Sequence, residues 1–174
     1  MDVHTRRAAA VALFVLLASA APCAAASAAN AEIAPPAGSD VVRVVEAGGA
    51  QVYACRQAPT GTYQWALVGP NAILVNEDGT SFGTHSAGPT WTAADGSAIV
   101  ADGAHPLVVV KRTEGVPALL LSVTSSTGTG ILNGVRFVRR SDTEGGFAPA
   151  ADCDAAHLNA TVAKHYSAIY TFYR

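Results

Sequence analysis

The stretch NAILVNEDGTSFGTHSAGPTWTAADGS, Asn71 to Ser97, decides how the rest of the chain is read. It opens on the β-prone run AILVNE and reaches Asp78-Gly79, a dipeptide suited to the positive φ angles of a tight hairpin turn. A second Asp-Gly turn signal, Asp95-Gly96, follows. Between the two lie His85, Trp91 and Gly88-Pro89. Such residues suit either a binding loop or a demanding piece of β-architecture.

Outward from this stretch the same punctuation recurs. VVRVVEA, AQVYACRQ, TYQWALVG, LVVVKRT, ALLLSVTS and GVRFVRRS are short runs of β-branched and aromatic residues separated by Gly, Pro, Asn and Asp. In QVYACR, Val52, Ala54 and Arg56 fall on one face and Tyr53 and Cys55 on the other. The closing YSAIYTFYR alternates in the same way and sets Tyr166, Ala168, Tyr170 and Phe172 on an aromatic face. Strands repeated without helices between them predict an all-β domain, an antiparallel sandwich or barrel. One segment departs from the pattern. DCDAAHLNATVAKHYSA predicts one short C-terminal helix before the last strand, with Asp154 as N-cap and Ala156 and Val162 on its apolar stripe.

The N-terminus has the layout of a secretory signal peptide: Arg6 and Arg7, an apolar run from Ala8 to Ala21, then small residues with Ala-x-Ala sites ending at Ala26 or Ala28. An uncleaved membrane anchor is the alternative, and Pro22 argues against lipoprotein processing at Cys23. The expected organisation is a signal peptide over 1–28, a flexible leader over 29–40 and a single all-β domain over 41–174. The expected location is secreted or periplasmic. Of three cysteines, Cys55 and Cys153 remain after cleavage. An even pair in an exported chain reads first as a disulfide, and as metal-binding thiols only if partners stood at ligand spacing, which they do not.

Cleavage also removes Asp2, Arg6 and Arg7, leaving nine basic against twelve acidic residues from the original 11 and 13. Neither sign forms a block. That argues against nucleic acid, which requires a basic face, and against a polybasic membrane-surface protein. No later apolar run is long enough to span a bilayer, so no stable membrane insertion is expected after signal cleavage.

His85 is the candidate general base, with Asp78 or Asp95 to orient it and Thr84, Ser86 or Ser97 to supply a hydroxyl. No G-x-S-x-G accompanies them. The structural alternative packs His85 beside Trp91 with its nitrogens met by backbone groups. Trp91 is either a stacking platform for a planar ligand or a core residue, and Asp95 suits a turn better than catalysis. The histidines lack metal-ligand spacing: no H-x-H and no H-E-x-x-H occur. Gly128, Gly130 and Gly134 do not compose a dinucleotide fingerprint, and no Walker loop exists, so no cofactor is expected.

These residues together resemble an exported family of bacteria and fungi, domain of unknown function 3455. The resemblance rests on VYAC (52–55), WALVGPNAILVNEDG (65–79), GTHSAGPTW (83–91), the run from Arg140 to Pro149, Cys153 and YTFY (170–173). It covers essentially the whole mature chain and implies Cys55–Cys153 as the bridge. It supplies no activity. Ala118 stands where the family often has Trp.

The resulting expectation is a non-catalytic extracytoplasmic binding module for a small polar ligand, such as a saccharide. Its expected binding residues are His85, Trp91 and the Gly145–Gly146 turn. The competing expectations are a hydrolase or lyase using His85 as general base and a structural or envelope protein without a small ligand. Binding requires a pocket with an exposed Trp91 edge. Catalysis requires a carboxylate within reach of His85. A buried pair with every polar atom satisfied would argue against both.

Overall fold

The computed structural model describes residues 32–174, so the expected signal peptide and the start of the expected leader lie outside the described residues. Nine strands follow one another: β1 (Val41–Gln57), β2 (Tyr63–Val75), β3 (Ser81–Ser86), β4 (Thr90–Ala93), β5 (Ala98–Ala101), β6 (Val108–Val110), β7 (Ala118–Thr127), β8 (Phe137–Gly145) and β9 (Thr161–Tyr173). They form one sheet in the order β5-β4-β3-β2-β1-β9-β8-β7-β6, and β5 also pairs with β7. All strand pairings are antiparallel, and the β5–β7 pairing closes the sheet into a ring. The all-β antiparallel architecture is therefore a barrel. Closure covers the edge that β5 would otherwise present and leaves the short β6, paired with β7 alone, at the rim.

The stretch Asn71–Ser97 supplies three turns of this ring. Asp78 accepts from the Thr80 amide and hydroxyl at 3.0 and 2.6 Å, and Gly79 takes φ 80°. Asp95 makes the matching turn between β4 and β5, where Gly96 takes φ 84°. The third turn, Ala87–Pro89, joins β3 to β4.

Period-2 alternation sends one face of each strand inward. Tyr166, Ala168, Tyr170 and Phe172 of β9 are all buried, as are Val45, Ala47, Gln51 and Tyr53 of β1. Phe82, Trp91, Ile99, Leu121 and Val138 complete the interior from the other strands. Each such side chain removed from water contributes roughly 1.5–3 kcal/mol. The β7–β8 connection folds back as a plug, with Leu132 0 % and Val135 3 % exposed.

The helix expected before the last strand is a single 3-10 turn, Ala155–His157. Asp154 does cap it, accepting from the Ala156 and His157 amides. Val162, expected on a helical stripe, pairs instead with Tyr53 of β1. The ladder to β1 wins because β-branched Thr161 and Val162 gain backbone partners all along β9. The described part of the leader is docked: Ile33 is fully buried, and Asp40 and Arg174 exchange both backbone hydrogen bonds at 2.9 Å.

Cys55, near the end of β1, is disulfide-bonded to Cys153 ahead of the 3-10 turn, with a Cα–Cα distance of 5.3 Å. The backbone is knit at the same point, Cys55 N donating to Ala160 O and Asn159 N to Cys55 O. Among the described residues, no helix is long and apolar enough to cross a membrane.

Candidate functional site

Register places His85 of β3 directly across from Trp91 of β4. Both point into the barrel, and their rings stack at 4.3 Å between centroids and 8° from parallel. Tyr170 of β9 meets each of them edge-on, at 4.9 and 5.4 Å, and Phe172 meets Trp91 at 6.2 Å. The cluster is the centre of the core, with His85 2 % and Trp91 1 % exposed. An exposed Trp91 edge, required of a sugar-stacking platform, is thus not present: one indole face is covered by imidazole, and aromatic edges close around the ring.

His85 Nδ1 lies 2.9 Å from Thr90 O. A carbonyl can only accept, so Nδ1 carries the proton and Nε2 presents a lone pair. Burial pushes the imidazole pKa down to about 4; the Thr90 carbonyl opposes the shift and the Arg140 charge adds to it. His85 is neutral near pH 7. Trp91 Nε1 is buried and has no hydrogen-bond partner among the described residues, and Gln51 Nε2 is in the same condition.

Gln51 and Trp91 border one cavity of about 550 Å³, together with His85, Tyr170 and Arg140. Its position follows from the strand pairing. β7 gives its C-terminal half to β5 and its N-terminal half to β6, with a register break at Val100/Ala101. The segment Asp102–Ala104 between β5 and β6, still joined to β7 by Asp102 N donating to Ser122 O, forms one wall. The Ala87–Pro89 turn forms another, held by two glycines. A Cβ on Gly69 would stand 2.6 Å from Ala87 Cβ, and one on Gly103 would stand 2.8 Å from Pro89 Cδ. Leu67, Val68, Pro70, Leu119 and Leu121 make much of the remaining wall apolar.

Arg140 sits on the inner row Leu119–Arg140–Tyr170 running across β7, β8 and β9. Its Nε and Nη2 donate to Pro117 O at 3.1 and 2.8 Å. Burial raises the pKa of the Tyr170 phenol, and the positive charge of Arg140 acts against that shift. Tyr170 and Tyr166 share a hydroxyl–hydroxyl contact of 3.2 Å. Burial likewise raises the pKa of Tyr166, so the pair stays protonated.

The carboxylates proposed as partners for His85 are elsewhere. Asp78 closes the β2–β3 turn, and Asp95 lies at the far end of β4 from Trp91. Asp95 accepts from Ser97 N, Ser97 Oγ and Ile131 N at 2.9, 2.6 and 2.7 Å. Ser97 Oγ in turn accepts from Leu132 N at 3.2 Å, so this pair anchors the plug. Hydrogen bonds to these side chains hold both carboxyls below their usual pKa, from Thr80 at Asp78 and chiefly from Ser97 at Asp95. Thr84 and Ser86 are exposed, on the face opposite His85. Alternation along β3 and the placement of both Asp-Gly turns at one barrel end keep the proposed acid–base set apart.

Gly145 and Gly146 are placed behind the cavity. Their φ angles are 64° and 78°, and a Cβ on Gly146 would lie 2.9 Å from Tyr166 Cβ and 3.0 Å from Gln51 Cγ. Gly146 O accepts from Tyr53 Oη at 2.6 Å. The turn therefore supports Gln51 from behind. Among the described residues, no group of three or more His, Cys, Asp or Glu is arranged to hold a metal ion.

Sequence reasoning missed Gln51 and Arg140. A signal for each was present, because period 2 places Gln51 on the buried face with Tyr53 and Cys55, and Arg140 on the face of Val138. A polar residue inside such an apolar register marks an inward-facing hydrogen-bonding group.

The family model described as "Protein of unknown function (DUF3455)" matches residues 36–174, which contain every strand of the barrel. No curated protein and no solved structure matches the chain.

Proposed function

We propose, for a chain that belongs to the DUF3455 family and takes no activity from it, a non-catalytic extracytoplasmic binding module that admits a small ligand to the barrel cavity. One observation carries this reading. Gln51 and Trp91, whose side-chain N–H donors are buried and without partners among the described residues, are both lining residues of the same cavity of about 550 Å³. Leaving a buried donor unpaired costs roughly 1–3 kcal/mol, and native folds keep few of them. Two at one cavity are accounted for when a ligand supplies the acceptors. The volume lies within the usual range for small-molecule sites.

The apolar wall favours a ligand with a hydrocarbon body over a saccharide. His85 serves as a packing and acceptor group in this reading: its pKa of about 4 and its bond to a backbone carbonyl suit neither a general base nor a nucleophile relay. The disulfide between Cys55 and Cys153 supports a location outside the reducing cytoplasm.

The test uses the neutral fluorophore N-phenyl-1-naphthylamine. Saturable binding at one site per chain is expected, reduced about tenfold or more when Leu121→Trp fills the cavity while the fold persists by circular dichroism. Absence of saturable binding, or binding indifferent to the filled cavity, counts against the module.

A further inference from the structure

We infer that the ligand of this cavity is a monocarboxylate with an apolar tail, its carboxylate seated on Arg140 and Gln51. The inference rests on the binding reading above and adds the chemical class.

The charge inside the barrel requires explanation first. Arg140 is half-buried, borders the cavity and has no carboxylate within ion-pair distance among the described residues. Its hydrogen bonds go to a neutral group, Pro117 O. A guanidinium carries five N–H donors, and these bonds leave capacity toward the cavity. Its field reaches His85, Tyr53, Tyr166 and Tyr170, none of which is an anion at neutral pH. A cation partly withdrawn from water without a counter-charge is unfavourable, and a ligand anion removes that cost. Guanidinium and carboxylate also match in geometry.

The polar donors narrow the class. Gln51 Nε2 and Trp91 Nε1 ask for acceptors, and a carboxylate offers only acceptors. The other charged residue at the cavity, Asp102, is already committed. Its Oδ1 accepts from the Ala104 and His105 amides at 3.1 and 3.0 Å, and its Oδ2 faces His105 Nδ1 at 3.0 Å. It therefore repels an anionic head from the β5–β6 wall and favours its placement at Arg140. The aliphatic wall of Leu67, Val68, Leu119 and Leu121 is left for the tail.

Octanoate and 1-octanol, which share a tail and differ in the head, separate the two readings on the unmodified protein. Each is titrated against bound N-phenyl-1-naphthylamine. Octanoate is expected to displace the fluorophore at a concentration about tenfold or more below that of 1-octanol, and Arg140→Gln to abolish the difference. Should Arg140→Gln not fold, Gln51→Leu provides the second variant, with octanoate affinity expected to fall severalfold. Equal displacement by both compounds overturns the carboxylate assignment and leaves the binding module standing. Failure of the fluorophore itself to bind removes the module and the assignment together.

Discussion

His85 and Trp91 lie face to face at 4.3 Å, a neutral imidazole against an indole, with the imidazole tethered through Nδ1 to Thr90 on the same hairpin. The pair makes a core of stacked rings where a histidine would ordinarily seek water. Its neutrality is a condition of folding, and that condition depends on pH.

Burial lowers the folded-state pKa of His85 from 6.5 to about 4. Above pH 6.5 both folded and unfolded chains carry a neutral ring, and the full stability is present. As pH falls from 6.5 toward 4, the unfolded chain takes up the proton and the folded chain does not, so stability is lost across that window. A shift of this size corresponds to about 3 kcal/mol. Urea unfolding at pH 7 and pH 4.5 should show most of this loss, and His85→Gln should flatten the dependence. A wild-type midpoint that stays constant over this interval would show that the ring is not held neutral by burial.

Gly69 allows the Ala87–Pro89 turn to approach β2. Its φ is 152°, and an added Cβ would stand 2.6 Å from Ala87 Cβ. Gly69→Ala should cost roughly 1–3 kcal/mol through strain and displacement of the turn, and weaken fluorophore binding because that turn walls the cavity. Gly61→Ala is the comparison, since its φ is 87° with nothing within 4 Å of the added Cβ. It should lower the melting temperature without changing binding. Equal binding by both variants would show that the turn does not shape the cavity.

The all-β antiparallel fold was legible, as a sandwich or a barrel, because its strands obey period 2 and its turns carry Asp-Gly at residues 78–79 and 95–96. The inward face of β9 could be read directly from Tyr166, Ala168, Tyr170 and Phe172, all of which are buried. The site was less legible. His85 and Trp91 were identifiable by type, but Arg140 enters the cavity only because β8 lies between β7 and β9, an order that alternation within one strand does not determine. The same limit explains Asp95. Sequence proximity set it near His85, whereas two turns at one barrel end carry Asp78 and Asp95 away from the cavity. The 3-10 turn was overestimated because a helical pattern at Ala156 and Val162 competes with a ladder visible only in three dimensions.

The disulfide ties residues 98 apart in sequence. In the chain-entropy model a loop of this length contributes up to about 4–5 kcal/mol, less any strain. Cys55→Ala with Cys153→Ala should therefore lower the melting temperature by several degrees or more, at roughly 2–4 °C per kcal/mol for a domain of this size. Reductant should move the wild type toward the double variant and leave the double variant unchanged. Coincident melting curves for wild type and double variant under oxidising conditions would argue that this bridge does not stabilise the fold.

Asp95 reaches across 36 residues to hold the Ile131 amide, and its partner Ser97 holds Leu132. The plug end of the barrel thus depends on an aspartate with no place in the cavity. Asp95→Ala removes the acceptor for three donors at once. Hydrogen exchange at the Ile131 and Ser97 amides should accelerate by an order of magnitude or more, because local opening then requires fewer bonds to break. The melting temperature should fall as well, while fluorophore affinity at the opposite end persists. The carboxyl is held ionised by these same bonds, which lower its pKa. The tether should therefore weaken as pH drops through the depressed carboxylate range, below the His85 window. Unchanged exchange at Ile131 in the variant would mean that burial of Leu132 alone, without the aspartate, keeps the plug closed.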